Sequence, residues 1–182
     1  MSEPEAGKLI ALFRRKWSAG ILAELARTGG TRVVVLRNRL GASPRAIDSA
    51  LEGLIQMGLI APNPGYGHPL RPEYVLTPEG QAAAAACARI ASSTARLGLP
   101  ELPGYKWHLP ILWTIGREPR RFREIAMRVT PITDRALSQS LKLLTESELV
   151  CTSLLDVRPP ATLYESTRRA KGLVEALTDL AA

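Results

Sequence analysis

The sequence predicts a mainly α fold with small β-wings, an α+β arrangement in which one unit occurs twice. Three observations support this prediction: an internal repeat, the same order of helical and extended segments in both copies, and a basic composition. With 182 residues the chain can bury two small cores of about 80 residues each. Two small domains are therefore expected.

The internal repeat has a constant offset. Lys16-Trp17 recurs as Lys106-Trp107, 90 positions later, and the same offset relates Arg45-Ala46 to Arg135-Ala136. Chance rarely matches tryptophans, tyrosines and Arg-Ala pairs at one offset over about 65 residues. We therefore predict a first unit at residues 1–98, a linker at 99–105 and a second unit at 106–182. The linker contains two prolines, which do not continue a helix.

Helical periodicity opens each unit. Apolar residues from Leu9 to Leu25 recur at helical spacing, and we expect one long helix that is broken near Gly20. Residues 33–40 allow a helix or a strand, because consecutive valines favour strands. The counterpart at residues 122–129 has a helical pattern, so the repeat favours a helix.

A capped helix comes next in both units. Ser43 precedes Pro44, a favourable pair of N-cap and first helical residue, and Thr133 caps the equivalent helix. From Leu59 to Thr77 the helical period disappears, which predicts a hairpin around a tip rich in proline and glycine. A last helix follows, to about residue 96 and, in the second copy, at about 168–180. Three helices, a two-stranded wing and a helix form the order of a winged helix-turn-helix.

The second unit contains a series of motifs at fixed spacing: Lys106-Trp107, Ile111-Leu112, Arg121-Phe122-Arg123-Glu124-Ile125, Ile132-Thr133-Asp134-Arg135-Ala136-Leu137, Leu141-Lys142-Leu143-Leu144 and Leu149-Val150. These residues resemble the HxlR-type regulators of the broader MarR-like winged-helix group. The first unit matches at Gly58-Leu59-Ile60 and at residues 72–80. It departs from the pattern of the second helix, with Arg32-Val33-Val34-Val35-Leu36 there.

The resemblance implies an unusual assembly. Members of this group usually carry one unit per chain and pair as homodimers, so two units in one chain imply an intramolecular pseudo-dimer. A homodimer of this chain is the alternative. The resemblance also admits a small-molecule effector between the halves, although no polar cluster identifies one.

The composition bears on partners and location. The formal net charge is +7 and the sequence pI is 9.9, which favours an anionic partner such as double-stranded DNA. No apolar run is long enough to span a bilayer and the first residues do not resemble a signal peptide, so we expect no membrane partner and a cytoplasmic, nucleoid-associated protein. Phosphate loops, nucleophile elbows and metal-ligand spacings are absent from the sequence, which argues against an enzyme, a cofactor or a metal site. Cys87 and Cys151 are expected to be buried structural thiols.

The candidate DNA contacts lie on and around the two capped helices. An exposed face at positions i, i+3, i+4 and i+7 would enter the major groove. In the second unit this face is Arg135, Ser138, Gln139 and Lys142, with Thr133 at the cap able to meet a phosphate. In the first unit the same positions are Arg45 and Ser49, with Ser43 at the cap, beside the less favourable Asp48 and Glu52. Phosphate contacts are predicted for Arg120, Arg121, Arg123, Arg37 and Arg39, and wing contacts for His68, Arg71 and Arg158. We expect the capped helix of the second unit to contribute more to base recognition than the capped helix of the first unit.

The predicted function is sequence-specific binding of double-stranded DNA by a transcription regulator. A tandem winged-helix adaptor that binds proteins, as in chromosome segregation, remains an alternative, as does an accessory DNA-binding protein of replication or recombination. Trp17 and Trp107 are interpreted as core residues, Tyr74 and Tyr164 as strand residues under the wings, and His108 as a partly buried helix residue. The alanines at 82–86 predict an interface helix between the halves or between chains.

Overall fold

The structure is a computed structural model that describes residues 6–63, 73–157 and 160–182. It contains two compact units. One consists of Leu12–Gly104, and the other combines the described residues up to Ala11 with Tyr105–Ala182. The start of the first helix is thus grouped with the later part of the chain, whereas the sequence prediction assigned it to the earlier part.

The helices and strands follow one order in both halves of the chain. The first half has α1 Gly7–Phe13, α2 Ser18–Thr28, β1 Thr31–Arg32, α3 Val33–Leu40, α4 Pro44–Gln56, β2 Ile60–Asn63, β3 Glu73–Leu76 and α5 Pro78–Arg96. A short 3-10 helix, Leu102–Gly104, follows. The second half has α6 His108–Arg117, β4 Arg120–Arg121, α7 Phe122–Arg128, α8 Asp134–Glu146, β5 Val150–Leu155, β6 Ala161–Ser166 and α9 Lys171–Ala181, with a 3-10 turn at Arg168–Ala170 before α9.

Each half has a small antiparallel sheet of three strands. Their orders are β1-β3-β2 and β4-β6-β5. The hairpins were predicted, but the two-residue strands β1 and β4 were not, because two residues carry no alternating pattern. Thr31 pairs with Tyr74, and Arg120 pairs with Tyr164. Tyr74 and Tyr164 keep the offset of 90 positions, but their partners Thr31 and Arg120 are 89 positions apart. The offset between the two halves is therefore one residue shorter at β4.

The N-terminal helical region ends and restarts earlier than predicted. The break falls between Phe13 and Ser18, so the expected break near Gly20 is wrong. Gly20 lies inside α2, where a Cβ would come within 3.2 Å of a Leu40 methyl group. The glycine at this position serves the close approach of α2 and α3 rather than a helix end. The predicted helix at residues 33–40 is confirmed as α3.

The capped helices α4 and α8 bury matching faces. In α4 the buried residues include Ile47, Ala50, Leu51 and Leu54, and in α8 they are Leu137, Ser140, Leu141 and Leu144. Burial of each such leucine contributes about 1.5–3 kcal/mol. Because these faces are held in the core, the opposite faces of both helices point to solvent.

The alanine-rich helix α5 packs against α2 within the same unit. Ala83, Ala84 and Ala86 are buried, and their small side chains allow the two helices to approach closely. The sequence had assigned this run to an interface between halves or between chains. In the part of the chain that the structure describes, no helix has the length and apolarity needed to cross a membrane.

Candidate nucleic-acid interface

The exposed face of α8 presents polar and basic side chains. The Thr133 hydroxyl caps the helix by accepting a hydrogen bond from the Ala136 N–H at 3.2 Å, as predicted. Arg135, Ser138, Gln139 and Lys142 are all exposed. Their spacing places them on one side of the helix, opposite the buried leucines. The structure therefore brings together the four residues that the sequence selected.

The charge on this face is positive. Of the four residues, Arg135 and Lys142 are charged, and both are basic. Lys142 Nζ lies 3.8 Å from Glu146 Oε1, but the lysine side chain is 75% exposed. An exposed pair of this kind contributes little and exchanges easily for another anion. The ammonium group of Lys142 is thus able to turn to a phosphate.

A groove runs between α8 and the hairpin of the same unit. Residues of both elements line it: Ser138, Leu141, Lys142, Thr145 and Glu146 on the helix, and Thr152 and Tyr164 on the strands. Thr152 and Tyr164 are paired across β5 and β6. The hairpin thus continues the polar surface of α8 sideways, which is the arrangement expected of a wing beside a recognition helix.

The arginines before α8 divide into two kinds. Arg121 and Arg123 are exposed at the start of α7, where the Arg121 N–H donates to Glu124 Oε2 at 2.7 Å. Arg120, by contrast, is only 7% exposed. Its Nε donates to the Thr114 carbonyl oxygen at 3.1 Å and its guanidinium pairs with Glu118. We therefore correct the assignment of Arg120 as a phosphate contact, because its side chain holds the end of α6.

The exposed face of α4 has a different character. Ser43 caps the helix through the Ala46 N–H at 3.4 Å, and Arg45, Asp48 and Glu52 are exposed. The face therefore carries one positive and two negative charges. It does not offer the net positive charge of the four-residue face of α8.

Arg15 is a residue that the sequence analysis missed. Its Nε donates to the Ser49 hydroxyl at 3.2 Å, and a Cβ at Gly53 would overlap its guanidinium group. The side chain of Arg15 therefore lies across α4 at Ser49, one of the predicted base contacts. Arg15 sits in the short connection between α1 and α2, and no local pattern relates it to a helix 34 positions later.

Of the two arginines predicted as phosphate contacts in the first half, Arg39 is engaged within the protein. Arg39 Nη1 lies 3.0 Å from Glu24 Oε1, and Arg27 Nη2 lies 2.8 Å from the same oxygen. The hydrogen bond from Arg27, and then the charges of Arg27 and Arg39, hold the pKa of Glu24 below its usual value. Arg37 is half-buried. The predicted wing contacts His68, Arg71 and Arg158 lie outside the described residues.

The two tryptophans of the repeated Lys-Trp motif are half-buried and do not lie fully in the core. Trp17 and Trp107 stand just before α2 and α6, and the ammonium groups of Lys16 and Lys106 lie over their rings at 4.8 and 4.0 Å. Each Lys-Trp pair forms a cation–π contact at the start of a helix. Tyr74 and Tyr164 lie in strands β3 and β6, as predicted.

The two thiols differ. Cys87 is buried, as predicted, and burial raises its pKa to about 12. Cys151 is exposed on β5, so the prediction of a buried thiol there is wrong. Position 151 follows two buried apolar residues, but strand alternation turns its side chain to solvent. Among the described residues, no group of three or more His, Cys, Asp and Glu could hold a metal ion.

The later part of the chain matches a known protein family. The profile of the HxlR-like helix-turn-helix family matches residues 102–182, which contain α6 to α9. A protein of Fusobacterium mortiferum, named as the regulatory protein MalR, is 35% identical over 75 residues, which are 41% of this chain and 71% of that relative.

Solved structures of two regulators resemble parts of the chain. One is a MarR-family protein from Porphyromonas gingivalis W83, with a TM-score of 0.43, 21% identity and coverage of 50% of this chain and 84% of its own. Another is the reduced form of YodB from B. subtilis, with a TM-score of 0.39, 21% identity and coverage of 58% and 88%. The sequence relationship to MalR and the family profile establish that this chain belongs to the HxlR-like helix-turn-helix family of DNA-binding transcription regulators.

Proposed function

We propose that the protein binds double-stranded DNA in a sequence-specific manner and reads bases mainly with α8. The observation that carries this proposal is the face of Arg135, Ser138, Gln139 and Lys142, whose four members are all exposed and none of which is acidic. Arginine can bind guanine through two hydrogen bonds and glutamine can do the same with adenine, each for about 1–3 kcal/mol of discrimination. The four side chains thus include two that suit direct base readout.

Phosphate contacts would come from the surroundings of α8. Arg121 and Arg123 are exposed at the start of α7, the helix before α8 in the chain, and Thr133 is the N-cap of α8. Contacts of this kind orient a protein on the duplex without reading sequence. They would also make binding depend on salt, since each neutralised phosphate releases counterions.

We further propose that the chain carries two winged units in tandem, ending near residue 98 and restarting near residue 106. The repeated order of helices and strands and the equal strand orders of the two sheets support this proposal. The first unit would contribute less to base readout, because α4 exposes Asp48 and Glu52 and Arg15 occupies Ser49. One chain would then act as an asymmetric pseudo-dimer with two unlike half-sites.

The deciding experiment measures duplex binding by fluorescence anisotropy across a salt series, with genomic fragments compared with random sequence. Arg135→Ala with Gln139→Ala should weaken binding to the preferred fragment by about 100-fold, if each contact is worth about 1–2 kcal/mol. The matched control is Arg45→Ala with Ser49→Ala, at the equivalent positions of α4. It should change the affinity by less than about threefold.

Each outcome has a consequence. Absence of duplex binding by the wild type at low salt would refute DNA binding and favour the protein-binding adaptor. Equal losses for the two double variants would refute the assignment of readout to α8. Sedimentation of the protein–DNA complex tests the pseudo-dimer: one chain per site supports it, and two chains support a homodimer.

A further inference from the structure

A polar cavity lies in the unit that contains residues 105–182. Its volume is about 190 Å³, and its walls are formed by Arg117, Glu118, Arg120 and Arg128. A water molecule takes up about 30 Å³ in the liquid, so the cavity has room for a small tetrahedral ion and a few waters. None of the four residues belongs to the proposed DNA-reading face of α8.

The ends of two helices and a short strand bring these side chains together. Arg117 is the last residue of α6, Arg128 is the last residue of α7, and Arg120 begins β4 between them. The hydrogen bond from Arg120 Nε to the Thr114 carbonyl oxygen fixes the buried arginine against α6. Because that oxygen belongs to the last turn of α6, the cavity adjoins the C-terminal end of this helix.

The lining of the cavity has an excess of positive charge. The four residues supply three guanidinium groups and one carboxylate. The C-terminal ends of α6 and α7 add a negative charge of about half a unit each at most, which leaves the cavity positive. Glu118 pairs with Arg120, but the glutamate side chain is 60% exposed and is free to turn to water. Arginine has five N–H donors, so a guanidinium group that already has one partner keeps donors for a second.

The first half of the chain builds a similar cluster around a nearly buried acid. Arg27 and Arg39 both bind the same oxygen of Glu24, at 2.8 and 3.0 Å, and the Glu24 side chain is only 12% exposed. Arg117 is the equivalent of Arg27 at the offset of 90 positions. Arg128 is the equivalent of Arg39 at the offset of 89 positions, which relates β1 to β4 and α3 to α7. Two arginines of the cavity wall thus correspond to the two that bind a carboxylate in the first half.

The nearly buried carboxylate of the first half has no counterpart in the second. The residue at the position of Glu24 is Thr114, and Arg120 stands where the first half has Thr31. The second half therefore lacks the acid inside the cluster and has one arginine more. An anion from solution would supply the missing negative charge. Since arginine binds phosphate through paired N–H donors, an ion of this shape with two charges suits the three guanidinium groups.

We propose that this cavity binds a free divalent tetrahedral oxyanion such as phosphate, which takes the part that the Glu24 carboxylate plays in the first half. The ion joins the end of α6 at Arg117 to the end of α7 at Arg128. A phosphate of duplex DNA fits less well, because Arg120 is only 7% exposed and a duplex phosphate is fixed to a bulky backbone. Occupancy of the cavity is measured without DNA, so failure of this inference and failure of DNA binding are distinguishable.

Isothermal titration calorimetry of the full chain with sodium phosphate tests the proposal. The titration is made at about pH 8, where phosphate is mainly a dianion, with sodium chloride at matched ionic strength as the reference. We expect one phosphate ion to bind per chain, and sulfate, which has the same shape and charge, to displace it. Absence of binding beyond that of chloride, or uptake of several phosphate ions with equal affinity, overturns the proposal.

Three charge variants locate the bound ion. Arg128→Gln should weaken phosphate binding about tenfold, the loss expected for one charge-assisted hydrogen bond. Arg39→Gln removes the same charge from the equivalent position of the first half, and it should leave phosphate binding unchanged. Equal losses in these two variants would show a general attraction to a basic protein and refute the site.

Glu118→Gln tests the site in the opposite direction. The substitution removes the carboxylate that competes with the ion, and it should tighten phosphate binding about threefold. Because Glu118 is exposed, the change leaves the core of the unit untouched. Unchanged or weaker binding of phosphate in Glu118→Gln contradicts the proposal.

Duplex binding separates a free phosphate ion from a phosphate of the DNA backbone. If the free ion is the occupant, Arg128→Gln should weaken duplex binding in anisotropy no more than Arg39→Gln does. A larger loss of duplex affinity in Arg128→Gln, with no change in the binding of inorganic phosphate, would assign the cavity to the DNA backbone and overturn the proposal.

Discussion

The helices α4 and α8 share their buried faces and differ in their exposed ones. Each has 13 residues, a hydroxyl side chain at the N-cap and four buried residues at equivalent positions that pack into the core. On the exposed side, Asp48 and Glu52 of α4 stand where Ser138 and Lys142 stand on α8. Packing constrains the buried face tightly, whereas exposed residues cost little to change. The same helix can therefore keep its place in the fold and change what it binds.

The final helices show how one methyl group alters a helix start. In the first half, the Thr77 hydroxyl accepts a hydrogen bond from Gly80 N–H at 3.0 Å, and α5 begins directly at Pro78. In the second half the equivalent of Gly80 is Ala170, and a 3-10 turn precedes α9. A Cβ on Gly80 would overlap the Leu59 carbonyl oxygen. The glycine thus permits the closer α-helical start.

The largest expected effect comes from Gly80→Ala. The added methyl group must displace the backbone at Leu59, and we expect a loss of about 2–4 kcal/mol in the free energy of unfolding, measured by urea denaturation. Ala170→Gly should cost about 1 kcal/mol or less, since it removes a methyl group without a clash. Equal costs for the two substitutions would contradict this explanation of the different helix starts.

The second-largest effect is expected when the exposed face of α4 is converted to that of α8. Asp48→Ser, Ser49→Gln and Glu52→Lys together remove two negative charges and add one positive charge. We expect about tenfold tighter binding to random duplex DNA at low salt, or about 1.4 kcal/mol, and a steeper salt dependence in anisotropy. Asp48→Asn with Glu52→Gln is the control for lost repulsion alone. Unchanged affinity of the triple variant would show that α4 does not face DNA.

A smaller effect should appear on acidification. His108 is half-buried at the first position of α6, its ring 4.7 Å from Tyr105, and burial lowers its pKa to about 4. The unfolded chain binds this proton near pH 6.5, so stability falls as the pH drops from about 6.5 towards 4. The full shift would cost about 2 kcal/mol between pH 7 and pH 5, and because the half-buried ring is partly screened by solvent we expect a loss of about 1 kcal/mol from this residue. Urea denaturation of His108→Ser, which copies Ser18 of α2, should lack that part of the loss.

The smallest effect concerns the turn after the capped helices. Gly58 has φ 70° and its equivalent Glu148 has φ 58°, a left-handed conformation that is unfavourable for a side chain. We expect Glu148→Gly to raise the free energy of unfolding by about 0.5 kcal/mol, the relief being partly offset by the greater freedom of glycine in the unfolded chain. Gly58→Glu should lower it. A thermal shift of the wrong sign in Glu148→Gly would show that Glu148 is not strained.

Local signals predicted a large part of this fold. Ser43-Pro44 and Thr133 marked the starts of α4 and α8, and the apolar spacing from Ile47 to Leu54 marked a buried face. The hairpins followed from the loss of helical period. The break between α1 and α2 was misplaced, because Gly20 was interpreted as a helix breaker when its role is to make room for Leu40.

The candidate site was predicted in outline only. The exposed face of α8 follows from helix geometry, so its four residues could be selected from spacing. Arg120 could not be separated from Arg121, because β4 turns one guanidinium inward and the next outward over two residues. Cys151 was misjudged for the same reason.

By itself the sequence determined the repeat, the capped helices and the hairpins, because caps, turns and periodicity act between residues a few positions apart. Only the tertiary structure decided which arginines are held by partners within the protein. Arg15 reaches Ser49, Arg39 reaches Glu24 and Arg120 is held inside, each by a partner placed through folding. The energy of such contacts depends on distance in space, and distance along the chain does not predict it.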